Sequence, residues 1–401
     1  MQIKSRQVLI NGALRPAALE ISAGIIQKIL PFNLDIPETK ETILPGLVDT
    51  HVHINEPGRT HWEGFETATR AAAAGGVTTL IEMPLNSIPA TTTVAAYQQK
   101  RAAAQGKLTV DTGFWGGVVP GNARELKPLW QAGVFGFKCF LVPSGVDEFA
   151  NVTEQDLRQA MPILATLGAP LLVHAESPAY LPNRPPESEC DAIAMMIRLS
   201  RETGARVHIV HLAAIEALPL IEKAQSEGVR ITVETCPHYV FFDPSPTNLL
   251  KCAPPIRTGL RTALPRIAMV VSDHSPSPPE MKTGPYETAW GGIASLELGL
   301  SAMATIHPNL PDLAKWMSEA PASLAGLANK GKIAEGCDAD LVFFDPHESW
   351  TVDPAKLNQR HKITPYAGHT LQGRVKSTWL RGEKIYDDGA FPIVGRGRAL
   401  P

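Results

Sequence analysis

Residues 47–56 read LVDTHVHINE. The run is apolar and strand-forming, and it places two of the chain's 12 histidines one residue apart. In a β-strand residues i and i+2 point to the same face, so His51 and His53 can converge on one object. A shared metal ion is the natural partner for two imidazoles; a polar strand face that happens to carry two histidines is the plainer alternative. The sequence on either side decides between them.

From Val48 onward, β-rich apolar runs alternate with Ala-rich helical stretches. The strand candidates are LVDTHVHI, TTLIEM, LTVDTGFWGG, VFGFKCFL, APLLVHAES, ARVHIVHLA, VRITVETCPHY and IAMVVSDHSP. Most are separated by helix-like segments such as WEGFETATRAAAA and TEQDLRQAMPILATLG. Eight strands in this alternation predict an α/β fold, a parallel (β/α)₈ or TIM barrel over residues 47–330. Several of the runs are almost continuously apolar, as strands buried on both faces should be. The flanks, residues 1–46 and 331–401, show short strands with Gly and Asp turns instead. They predict a small β-sandwich domain assembled from both chain ends.

In a (β/α)₈ enzyme the active site lies at the carboxyl ends of the strands. The first candidate strand ends in His51 and His53, the fourth in Lys138, the fifth in His174, the sixth in His211 and the eighth in Asp273. Taken singly, each has an ordinary explanation. His174 or His211 could be a hydrogen-bonded core histidine, Asp273 in SDHSP a turn cap, and Lys138 a snorkelling side chain. Six such residues at one end of one barrel point instead to a common metal site. Lys138, in the apolar run VFGFKCF, is the informative one. Burial disfavours its ammonium form and leaves a nucleophilic amine that can add carbon dioxide. The resulting carbamate, N6-carboxylysine, supplies two anionic oxygens, enough to bridge two divalent ions that one carboxylate and four neutral imidazoles would under-neutralise.

Composition narrows the partners. A formal net charge of −3 and no Lys/Arg cluster leave nothing to attract nucleic acid or an anionic membrane surface. Five cysteines, an odd number without CxxC spacing, argue against a disulfide framework and a thiolate zinc site, and fit a reducing cytoplasm. The first residues lack the apolar core of a signal peptide, and no apolar run is long enough to span a bilayer. The sequence assigns no role to Cys139, Cys236 or His238.

In chain order, HVH, GFKCF, LLVHAES, HIVHLA and SDHSP resemble the cyclic-amide branch of the amidohydrolase superfamily. The longer blocks EPGRTHWEGFET, EMPLNSIPATT, FWGGVVPGN, ETCPHY, KCAPPIR, SDHSPSPPEMK, AWGGI and RHKITPYAGHT narrow this to a resemblance to the allantoinases over almost the whole chain. The resemblance implies His51, His53 and Asp273 on one metal, His174 and His211 on a second, and carboxylated Lys138 between them, with Asp273 as general base and then acid. It also implies ring-amide contacts from Asn86, from the backbone near Ala253 and Ser275, and from Trp290 and Gly291 of the AWGG loop. Two ions, zinc before cobalt, manganese or iron, a cyclic ureide substrate opened at its amide, and a homo-oligomer, a tetramer, are the further expectations. Dihydroorotases carry an arginine where this chain has Asn55, and hydantoinases and dihydropyrimidinases a tyrosine where it has Pro143. The stretches between His174 and His211 and between Arg257 and Asp273 are shorter than the family usually shows, and the helix expected before the eighth strand is hardly there.

Overall fold

The computed structural model describes residues 1–33, 35–393 and 395–401. Its central part holds two parallel sheets. The first joins β6 (Leu47–Val52), β7 (Val77–Glu82) and β8 (Asp111–Phe114). The second runs in the order β14-β13-β12-β11-β10-β9, with β9 (Gly116–Gly117), β10 (Phe137–Phe140), β11 (Pro170–His174), β12 (Arg206–Ile209), β13 (Ile231–Thr235) and β14 (Met269–Val270). The sheets meet at both margins. Phe135 N donates to Phe114 O at 3.0 Å where β8 passes into β9, and His53 N donates to His274 O at 2.8 Å beside a parallel Val52–His274 bridge. Helices α1 (Phe65–Ala74), α2 (Val94–Ala104), α3 (Ala123–Ala132), α4 (Glu154–Leu167), α5 (Pro186–Thr203) and α6 (Leu218–Ser226) separate consecutive strands.

Local chemistry accounts for these elements. In α1 a run of alanines loses little side-chain entropy and lets the helix lie close against the strands. In α4, Thr153 and Asp156 form a reciprocal capping box, and Gly168 closes the other end in the left-handed conformation. Strand β10, FKCF, is buried at every position, Lys138 included. One strand is shorter than its sequence suggests, and one helix is as slight as its sequence implies. The eighth strand is reduced to Met269–Val270, and the helix before it, after α7 (Pro237–Phe241), is the single turn α8 (Leu260–Ala263).

The flanking residues form an eight-stranded sheet in which strands from both ends of the chain are neighbours. Its members are β1 (Gln2–Ile10), β2 (Ala13–Ser22), β3 (Ile25–Leu30), β4 (Glu38–Thr39), β5 (Thr42–Pro45), β15 (Leu341–Thr351), β16 (Thr370–Leu380) and β17 (Glu383–Asp387). Here β5 lies between β1 and β15, pairing parallel to one and antiparallel to the other. Seven of the strands follow one hydrogen-bonded path, β17-β16-β15-β5-β1-β2-β3, and β4 pairs with β1 beside it. That sheet has its own core, with Val8, Leu19, Ile26, Ile43, Leu341 and Phe343. At the junction with the parallel sheets, Lys330 lies 3.0 Å from both Asp111 and Asp338 and 2.7 Å from Asp340, all but Asp338 buried. Residues 397–400 then run back along β8, with Leu400 N donating to Thr112 O and Thr112 N to Arg398 O, each at 2.8 Å. Among the described residues no helix is long and apolar enough to cross a membrane.

Candidate metal centre

The six residues expected as ligands stand at or just beyond the carboxyl ends of parallel strands. His51 lies in β6 and His53 follows it, Lys138 lies in β10, His174 ends β11, and His211 and Asp273 follow β12 and β14. Asp273 Oδ1 is 3.1 Å from His51 Nε2 and 3.4 Å from His53 Nε2. His174 Nδ1 and His211 Nε2 face each other at 3.0 Å, and one ligand atom each from His51, His211 and Asp273 lie within 4.8 Å of one another. Two subgroups result, one with the aspartate and one with the facing imidazoles, and His51 and His211 link them with ring centroids 5.4 Å apart.

Lys138 is fully buried, and its Nζ has no hydrogen-bond partner. Burial lowers its pKa to about 8, against the opposing pull of Glu234 and Asp273. Its charge is felt by all four histidines. Burial is also the first cause holding the pKa values of those histidines below the ordinary value, so the imidazoles are neutral and able to donate lone pairs. A buried, unpartnered amine among neutral imidazoles is a donor set that suits divalent cations once the lysine becomes anionic.

Two of the four imidazoles, those of His51 and His174, have a buried carboxylate behind them. Glu234 Oε1 sits 2.5 Å from His51 Nδ1, while its Oε2 lies 2.9 Å from His208 Nε2. Glu176 Oε2 is 2.7 Å from His174 Nε2 and is itself paired with Arg184. Such contacts fix which nitrogen carries the proton and turn the other inward. Asp49 accepts from His51 N and Ser272 N, each at 3.0 Å, tying β6 to the segment that carries Asp273. Sequence reading missed all three carboxylates. The signal available was an acid two residues from a site histidine in DTHVH and HAES, and another inside VRITVET.

Above this group opens a cavity of about 770 Å³, lined by His51, His53, His174, His211 and Asp273. Asn86, Ala253, Ser275, Trp290 and Gly291, the expected ring-amide contacts, all line it, and so does Pro143. Asn86 Nδ2 lies 3.4 Å from His53 Nδ1, and Arg59 donates to Asn86 O at 3.1 Å. Asn55 is buried outside the cavity lining, with Nδ2 3.4 Å from Pro276 O. Gly292 has φ +123°, and a Cβ there would stand 2.6 Å from Ser275 O, so the AWGG loop reaches Ser275 only because that residue is glycine. Of nine non-glycine residues with positive φ among those described, Asn86, Arg184, His211 and Asp273 line this one cavity. Unfavourable backbone conformations concentrate where side chains must be aimed.

The amidohydrolase family profile matches residues 42–385. The chain is 47% identical to an allantoinase of Streptomyces avermitilis, over 99% of this chain and 98% of that protein. It is 42% identical to an allantoinase of Saccharomyces cerevisiae (96% and 95%) and 38% identical to one of Escherichia coli (99% and 98%). These alignments run over 435 to 445 positions, more than the 401 residues here, so the relatives carry residues that this chain lacks. Among solved structures it is similar to an L-hydantoinase (dihydropyrimidinase) from Arthrobacter aurescens, with a TM-score of 0.94 and 29% identity, covering 100% of this chain and 99% of the other. A D-hydantoinase from Thermus sp. gives a TM-score of 0.89 at 24% identity, covering 100% and 98%, a likeness of fold.

Proposed function

The chain belongs to the amidohydrolase family, and from that premise we propose that it opens allantoin to allantoate by hydrolysing the cyclic amide of the five-membered ring. It is a hydrolase of carbon–nitrogen bonds in cyclic amides. The observation that carries the site assignment is Lys138, a buried amine with no partner among four imidazoles and Asp273. We read the two parallel sheets, joined at both margins, as one (β/α)₈ barrel over residues 47–330, with residues 1–46 and 331–401 as its companion domain.

In this reading the Lys138 ammonium first loses a proton, and the free amine then adds carbon dioxide, forming an N–C bond and releasing a second proton, so that an anion replaces the cation facing the histidines. His51, His53 and Asp273 would hold one divalent ion, His174 and His211 a second, and the Lys138 carbamate both. Zinc suits this donor set, as do cobalt, manganese and iron. Such ions, when bound, polarise a carbonyl and make water a nucleophile near neutral pH. Asp273 takes a proton from the attacking water as the carbon–oxygen bond forms, then returns it to the ring nitrogen as the carbon–nitrogen bond breaks. Glu234 and Glu176 keep His51 and His174 turned toward the centre. Asn86, the backbone near Ala253 and Ser275, and the loop at Trp290 and Gly291 offer neutral donors and acceptors for a ureide, which has no charge to be countered.

The fold likeness to hydantoinases supports a second reading, hydrolysis of other cyclic ureides. Pro143 speaks against it, because proline has no hydroxyl with which to bind an oxyanion at that position. We also assign the protein to the cytoplasm, on its five free cysteines, and to a homotetramer, on family resemblance. The test is metal analysis of the purified protein followed by an allantoin turnover assay. About two ions per chain with allantoate formed are expected; a metal-replete protein inert toward allantoin overturns the assignment.

A further inference from the structure

A second group of potential ligands lies behind the first. Cys236, His238 and Asp273 each place one ligand atom within 4.8 Å of the other two. Cys236 directly follows β13 and is fully buried; His238, in α7, is also fully buried. Neither nitrogen of His238 has a hydrogen-bond partner. A neutral imidazole must carry an N–H on one nitrogen and a lone pair on the other, so a buried histidine with both unmatched is an open donor and an open acceptor at once. Such a side chain is costly to keep unless something binds it. The only charged ligand atom in the group belongs to Asp273, which lines the cavity, whereas Cys236 and His238 do not line it.

We propose that Cys236, His238 and Asp273 form a third cation site, which takes a thiophilic divalent ion such as zinc or cadmium and thereby makes excess metal an inhibitor. The inference rests on the reading of Asp273 as the proton carrier. Thiolate, imidazole and carboxylate together suit a borderline-soft ion, and the thiol proton leaves to solvent as the sulfur–metal bond forms. The ion enters from the cavity side, past Asp273. A carboxylate engaged by that ion cannot accept the proton of the attacking water. Binding at this site therefore blocks turnover without removing either of the first two ions.

The test is a titration of the holoenzyme, already carrying its two ions, with cobalt(II) and then with zinc. A third equivalent should bind with a sulfur-to-cobalt charge-transfer band, and zinc should inhibit in the same concentration range. Cys236→Ala should abolish the band, the third equivalent and the inhibition while leaving two ions and turnover in place. His238→Gln should weaken third-ion binding by at least about tenfold, as the loss of one of three ligands implies. No thiolate band in the wild-type holoenzyme overturns the proposal, as does undiminished zinc inhibition in folded Cys236→Ala. If allantoin turnover were absent altogether, the band and the third equivalent would still report on the site, so the two readings fail separately.

Discussion

In the proposed mechanism Lys138 and Asp273 carry the chemistry, and their variants are expected to fail differently. Lys138→Ala removes the group proposed as the anionic bridge, so metal and activity should be lost together, and a short-chain carboxylic acid added to the variant should restore part of both. Full metal occupancy with normal turnover in the variant would defeat the carbamate. Asp273→Asn still presents an oxygen to a cation but cannot carry a proton. Much of the metal should remain while kcat falls by about 10²–10⁴, the worth of a positioned acid–base group; retention of most of kcat would assign the base elsewhere. Substrate choice rests on Asn55 and Pro143. Dihydroorotate would bring a carboxylate into a pocket that has no arginine at position 55 and whose lining cations, Arg184 and Lys251, are engaged by Glu176 and by the Tyr286 and Glu287 carbonyls; a buried charge short of its partner costs several kcal/mol, each 1.4 kcal/mol being about a factor of ten. The expected kcat/KM for allantoin therefore exceeds that for dihydroorotate by at least about a hundredfold, measured on one metal-replete preparation. At this scale the sequence was most legible, because an alternating histidine pair or a lysine in an apolar strand contradicts its surroundings. The acids that orient the histidines contradicted nothing. In ITVET, Thr232 and Glu234 alternate with Ile231 and Val233 as they would in a half-solvated strand, and only the placement of His208 against both reveals that Glu234 is buried.

Elements were legible where a local rule governs them. The run TEQD announces the start of α4, and Thr153 Oγ1 accepts from Asp156 N at 3.3 Å while Asp156 Oδ2 accepts from Thr153 N at 2.9 Å. Thr153→Ala should lower unfolding stability by about 1 kcal/mol, read as a shift of the urea midpoint at constant slope, with kinetic constants unchanged. The eighth strand obeyed no such rule. IAMVVS is apolar enough for six strand residues, yet only Met269–Val270 pair in the ladder, because the chain turns at Asp273, with φ +43°, to aim its carboxylate. Its neighbour His274 restores continuity by bridging to Val52 on one side and Ile293 on the other. Where the site dictates the backbone, propensity underdetermines the element.

Across the whole molecule, the sequence separated flanks from centre by composition, but it held no sign of how the flanking strands connect, since pairing between residues 300 positions apart leaves no periodic trace. A shorter-range contact that leaves no such trace either is made by Glu297, which accepts from Asn358 N at 2.6 Å and Asn358 Nδ2 at 3.1 Å. Burial raises its pKa to about 7, against those two donors, while the unfolded value is about 4.3. The folded state thus holds the proton more tightly, and the stability this confers in acid is lost as pH rises through about 7. Glu297→Gln should therefore gain on the wild type between pH 5 and pH 8, compared by urea midpoints at both pH values; a difference that is flat or shrinks with pH would show that Glu297 does not titrate in this way. Finally, β5 pairs with β1 on one side and β15 on the other, so nearly the whole catalytic part is translated between two neighbours of one sheet. While that part emerges from the ribosome, the edge of β5 facing β15 is open, a bare row of N–H and C=O groups able to recruit another nascent chain. The sheet is thus a clasp that cannot shut until β15 arrives.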